Sequence, residues 1–129
     1  MLSLLKGRAE APAPRRRSRE PSSRDVRLTG HIQEKARMAM TVVAGLADPE
    51  EDRRVLGAAY EQLRNEMLLA LDEIDDPTCR GFATHQVIKA LMAAREKALA
   101  FALLVGVRDP LFREKIFATH PELDPETAS

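Results

Sequence analysis

Phe82-Ala-Thr-His-Gln-Val-Ile-Lys-Ala-Leu-Met-Ala-Ala-Arg-Glu-Lys97, continuing as Ala98-Leu-Ala-Phe-Ala-Leu-Leu-Val-Gly-Val107, is the stretch whose reading decides the fold. Its first half sets His85, Gln86 and Lys89 on one side of a helix and Ile88, Leu91 and Met92 on the other. Arg95, Glu96 and Lys97 then interrupt the apolar surface together. From Ala98 to Val107 the chain is apolar on every side of a helix. Such a surface cannot face water and needs a cover. That cover is the rest of this chain, a second copy or another protein. The pattern predicts one continuous helix, beginning between Pro77 and Phe82 and stopping near Gly106. Three consecutive helical positions subtend about 200°, so at least one of Arg95, Glu96 and Lys97 points inward or into an interface and, if buried, needs a partner.

Upstream, Leu56, Tyr60, Leu63, Met67, Ala70 and Ile74 are spaced 4-3-4-3-4, a coiled-coil-like seam on a helix predicted from Pro49 to about Ile74. Val55, Ala59, Leu68, Leu69 and Leu71 widen that seam, which points to a bundle of three or more helices. Before it, Leu28, Ile32, Ala36, Ala39, Val43 and Leu46 predict a first helix over 23–47, capped by Ser22 or Ser23. After it, Leu111, Phe112, Ile116 and Phe117 give a short fourth helix, ending by Thr119, an apolar face that closes one end of the bundle. Asp-Pro punctuates the chain at Asp48-Pro49, Asp76-Pro77, Asp109-Pro110 and Asp124-Pro125. Aspartate accepts from the free amides of a helix start, and proline at the next position loses no hydrogen bond. The first three are expected to open helices, with Glu50, Glu51 and Asp52 in the first turn of the second, where the helix dipole favours anions.

The fold class expected is therefore all-α: three long helices and a short C-terminal one over residues 23–119. Residues 1–22 form a basic, Arg/Pro-rich arm expected to be disordered, and 120–129 an acidic, frayed tail. The chain has 129 residues and no net charge, but the charge is polarised. Residues 1–47 carry +6 and the remainder −6. The arm, with Arg15, Arg16, Arg17 and Arg19, suits an external polyanion or the acidic part of the chain itself. Asp72, Glu73, Asp75 and Asp76 crowd the carbonyl end of the second helix, where negative charge is disfavoured. Either Asp76 caps the next helix and the others are solvated, or the four form a docking site for cations.

Several classes are argued against. The longest apolar run is about half a bilayer span, and no secretory segment follows the start, so a cytoplasmic protein is expected. One cysteine, Cys79, excludes an intrachain disulfide. His31, His85 and His120 stand in no His-x-x-x-His or Cys-x-x-Cys spacing, and the oxygen-ligand spacing of a calcium loop is missing. There is no phosphate-binding loop, dinucleotide fingerprint or nucleophile elbow. No metal, cofactor or catalytic residue is expected. The excess of arginine over lysine points to a GC-rich, bacterial genome.

Two functional readings follow. The first is a non-catalytic helical protein–protein interaction module: an adaptor, an assembly or secretion accessory, or a small regulator. It associates with itself, as a dimer or higher, or with another protein. Its apolar contacts are Leu56, Tyr60, Leu63, Met67, Leu99, Phe101, Leu103 and Leu104. The second is a nucleic-acid-associated accessory protein that grips phosphates with the arm. Against it, no aromatic residues are interleaved for base stacking, and the folded part is net acidic.

Overall fold

The computed structural model describes residues 22–124. Over that range the chain is all-α, a helical bundle with five α-helices and no strand among the described residues. They are α1 (Ser23–Gly45), α2 (Arg53–Asp72), α3 (Pro77–Ala93), α4 (Lys97–Val105) and α5 (Pro110–Thr119), followed by a 3-10 turn at Pro121–Leu123. The arm (1–22) falls outside the described residues except for Ser22, as does the end of the tail (125–129).

α1 begins where a hydroxyl is available. The Ser22 side chain accepts from the Asp25 amide at 3.0 Å. Ile32, Ala36 and Ala39 then face the core, as their spacing requires. α2 starts later than its Asp-Pro signal suggests. Asp52, not Asp48, accepts from the amides of Arg54 and Val55 at the helix start. Asp48 instead closes a turn onto the Glu50 amide. Glu50 and Glu51 therefore precede the helix rather than lie in its first turn. Asp76 and Asp109 do cap α3 and α5, each with proline in the first turn.

α1 and α2 are also joined across their polar edges by Lys35 and Glu66, 2.8 Å apart and part-buried, with Gln62 donating to the same carboxylate at 3.1 Å. A stronger tie lies at the other end. Asp25 is only 4% exposed, yet its carboxylate is satisfied. One oxygen accepts from the Asp76 amide at 2.9 Å and the other from the Asp75 amide at 3.3 Å. Hydrogen bonds to a charged group are worth about 1.5–3 kcal/mol, and losing one partner leaves the other buried and unmatched. The start of α1 is thereby fixed to the turn between α2 and α3.

α3 is the centre of the molecule. Ala83, Val87, Ile88, Ala90 and Leu91 are fully enclosed, and α1, α2, α4 and α5 all pack on this helix. Alanines and a glycine let the neighbours come close. At Gly81 the approach is closest: a β-carbon there would stand 2.6 Å from the Phe112 ring of α5. Met67 from α2, Ile74 beyond it, and Ile116 from α5 complete the core. Each side chain of this size contributes about 1.5–3 kcal/mol through burial.

The continuous helix expected over this stretch is two helices. α3 ends at Ala93, and α4 starts at Lys97. The Glu96 amide donates back to the Leu91 carbonyl at 2.8 Å, and the Arg95 amide to the Met92 carbonyl at 3.0 Å. This pair of bonds is the Schellman stop, which needs a left-handed residue between the two helices. Arg95 supplies it, with φ 64°. A side chain with a β-carbon in that conformation costs roughly 1–2 kcal/mol, so glycine is the usual occupant. No glycine or proline marked the break in the sequence. α4 then folds back along α3, burying Ala100 and Leu104 and, just beyond its end, Val107.

The chain also does not fray at His120. Pro121–Leu123 turns back, and Leu123 is 2% exposed within the core. One leucine in the acidic tail is enough to dock it, because its burial outweighs the ordering of a three-residue turn that proline has already restricted.

Candidate functional site

The predicted apolar contacts divide once the helices are in place. Tyr60, Leu63, Met67 and Leu104 are buried inside the protomer. The α2 seam is covered by α1 and α3, and Leu104 is buried where α4 packs on α3, so these four side chains do not offer a partner surface. Leu56, Leu99 and Leu103 are half-buried. Phe101 alone of the eight is exposed, at 42%.

A different face remains open. α4 turns Ala98, Phe101, Ala102 and Val105 outward. These positions follow i, i+3, i+4, i+7, one stripe of a helix. Val105, absent from the expected contacts, is 62% exposed. Leu111, at the start of α5, is exposed as well. The uniform hydrophobicity of Ala98–Val107 concealed which side would be turned out, since every side looked alike.

The acidic cluster is engaged within the chain. Glu73 pairs with Arg24 at 2.6 Å, both half-exposed. Arg80 donates to the carbonyls of Leu71 and Ile74 at 3.0 and 3.2 Å, closing the end of α2, and lies 3.8 Å from Asp72. Asp76 caps α3, and the amides of Asp75 and Asp76 donate to Asp25. Among the described residues, Arg24 pairs with Glu73 and Arg80 with Asp72, while the Asp76 carboxylate caps α3. Arg15, Arg16, Arg17 and Arg19 lie outside the described residues.

The Arg95-Glu96-Lys97 interruption builds the most polar contact in the core region. At the α3–α4 corner the Glu96 carboxylate accepts from the Tyr60 hydroxyl and, at 3.0 Å, from Arg64. The Arg64 guanidinium also lies over the Tyr60 ring, 5.9 Å from its centre. Burial, then the hydrogen bond to Glu96, pushes the Tyr60 hydroxyl far above its ordinary pKa. It is a neutral donor at any physiological pH. Although Glu96 stands at the N-terminal boundary of α4, its side chain makes no capping bond there. The inward-pointing charge expected of this triplet is therefore Glu96, partnered from α2.

These residues line a cleft of about 660 Å³ between the end of α1, the first half of α2 and the α3–α4 corner. Arg53, Glu61 and Arg95, all exposed, and the apolar Val43, Leu46 and Ala94 are also in its lining. Sequence reasoning missed this cleft. Its only signal was a charged triplet in an apolar run, and its members come from three helices.

Other reactive groups are quiet. Burial pushes the Cys79 thiol up; a Thr29 hydrogen bond opposes this, and the Asp76 and Asp25 carboxylates reinforce it. It therefore stays protonated and a poor nucleophile. His85 and His120 both titrate below the usual histidine range, chiefly because burial disfavours the cation. The Nε2 atom of each is enclosed with no hydrogen-bond partner among the described residues. No described helix is long and apolar enough to cross a membrane. Compared with family models, curated proteins and solved structures, the chain matches none, so function is argued from its own geometry.

Proposed function

We propose that this chain is a non-catalytic helical interaction module, acting in the cytoplasm, whose first partner is a second copy of itself. The observation that supports this is the outward apolar stripe of α4. Large side chains, Phe101 and Val105, alternate along it with small ones, Ala98 and Ala102. A two-fold axis across such a stripe brings each large residue opposite a small one of the partner helix. The face is therefore shaped to fit its own copy. α4 spans only nine residues, about 13 Å of helix. The contact is thus small and the dimer weak, which suits a regulated or assembling component better than a permanent dimer.

Sedimentation velocity of the full chain tests the reading. We expect a monomer–dimer equilibrium with a dissociation constant of about 1–100 µM, shifted to monomer by Phe101→Ser together with Val105→Ser. A protein that remains monomeric at concentrations well above this range, or whose dimer is indifferent to both substitutions, overturns it.

A further inference from the structure

The cleft at the α3–α4 corner carries an inference independent of self-association. We infer that it is a binding site for a small amphipathic organic anion, with a carboxylate or phosphate head and a short apolar body.

Three observations converge on it. The first is charge. Arg64 is matched by Glu96, which leaves two exposed cations, Arg53 and Arg95, and one further carboxylate, Glu61, in the lining. Neither Arg53 nor Arg95 has an ion pair among the described residues. The second is backbone conformation. Arg95 holds a left-handed φ of 64° where glycine would serve the turn without strain. Non-glycine residues held in this conformation cluster at ligand sites and switch regions, and Arg95 lines the cleft. The third is shape. A cleft of about 660 Å³ falls within the range of small-molecule sites. Its apolar side is formed by Val43, Leu46 and Ala94.

The chemistry of the occupant follows from these groups. Guanidinium forks prefer carboxylate and phosphate oxygens, which they hold through paired N–H donors. The Tyr60 hydroxyl and Arg64 are already committed to Glu96, so they stiffen the corner and do not touch the head group. The apolar lining accommodates a short hydrocarbon body, a contact that inorganic ions cannot make. Glu61 limits the charge the site tolerates, favouring a singly over a multiply charged head.

The test is a titration of the full chain followed by amide chemical shifts, with octanoate, octyl phosphate, octanol and inorganic phosphate as probes. Octanoate or octyl phosphate should shift Gly57 and Ala93–Glu96, binding about tenfold or more tighter than octanol or inorganic phosphate. The tighter of the two anions identifies the head group. Arg53→Gln with Arg95→Gln should weaken the anion about tenfold and leave octanol unchanged, and Glu61→Gln should tighten it. Arg95→Gly separates binding from folding: it should melt at the same or a higher temperature yet bind the anion more weakly. Equal affinity for octanol and octanoate, no shifts at the corner, or undiminished binding in both arginine variants overturns the inference.

Discussion

α3 and α4 reverse what their hydrophobicity suggests. α3 contains His85, Gln86 and Lys89, yet it is the most enclosed helix in the molecule. α4 is apolar from Ala98 to Val105, yet it packs chiefly on α3 and keeps one side open. Burial follows position in the chain as much as composition. α3 lies between four neighbours and tolerates them because Gly81, Ala83 and Ala90 are small. Gln86 and Lys89 keep partial exposure at its edges, whereas the His85 ring is partly enclosed. α4 comes after a tight stop and has only one side left against the bundle. An apolar helix with an open side is thus where the proposed contact is sought, whereas an enclosed one is evidence only of a core.

The sharpest way to break this contrast is to shorten one side chain on each helix. Ile88→Ala should destabilise the fold by about 3–4 kcal/mol in urea unfolding, because it leaves a cavity that the surrounding helices cannot close. Phe101→Ala should cost less in the monomer, about 1–2 kcal/mol, since the ring is 42% exposed and only part of it is buried. Equal losses at the two sites would show that α4 is as enclosed as α3. Next in size is Gly81→Ala. The new methyl meets the Phe112 ring, and we expect a loss of about 1–3 kcal/mol. Phe112→Leu in the same chain should recover part of it, so that a double-mutant cycle shows coupling.

The smallest effect concerns pH. His85, on α3, faces Lys89 on its own helix and Lys115 on α5, and His120 lies beside Glu122 and Lys89. Both are held below their unfolded pKa of about 6.5. The unfolded chain therefore binds protons more readily than the folded one. The histidines contribute full stability above about pH 6.5 and lose it as pH falls through the folded values. Melting temperature should drop between pH 7 and 5, and the drop should shrink in the His85→Gln, His120→Gln variant. An identical drop in that variant would assign the acid sensitivity to carboxylates instead.

Much of the fold was legible because its signals are local. Ile32, Ala36 and Ala39 on α1, and Tyr60, Leu63 and Met67 on α2, repeat at helical spacing. Asp76 and Asp109 mark helix starts through side chains that reach only two or three residues. Two boundaries were hidden. Asp48 and Asp52 offer equivalent carboxylates, and only the path of the turn between α1 and α2 decides that Asp52 caps. The stop at Arg95 uses a residue that ordinarily continues a helix, so the sequence carries no mark of it. The site was less legible than the fold. Leucine spacing identified Leu63 and Met67 as apolar without saying whether another protein or this one would cover them. The cleft joins Arg53, Arg64 and Arg95, whose meeting depends on the unmarked corner.

Asp25 has a consequence for the order in which the chain assembles. Its carboxylate holds two amides that lie 50 and 51 residues further on. α2 and α3 can meet early, through a short connection, but the bend joining them keeps two bare donors until the first helix arrives. During synthesis α1 is the first of the described helices to emerge, and its Asp25 carboxylate must wait for residues 75 and 76. α1 is thus made before the bend that it ties down, and a ribosome pause short of residue 76 would leave the Asp25 carboxylate without either amide.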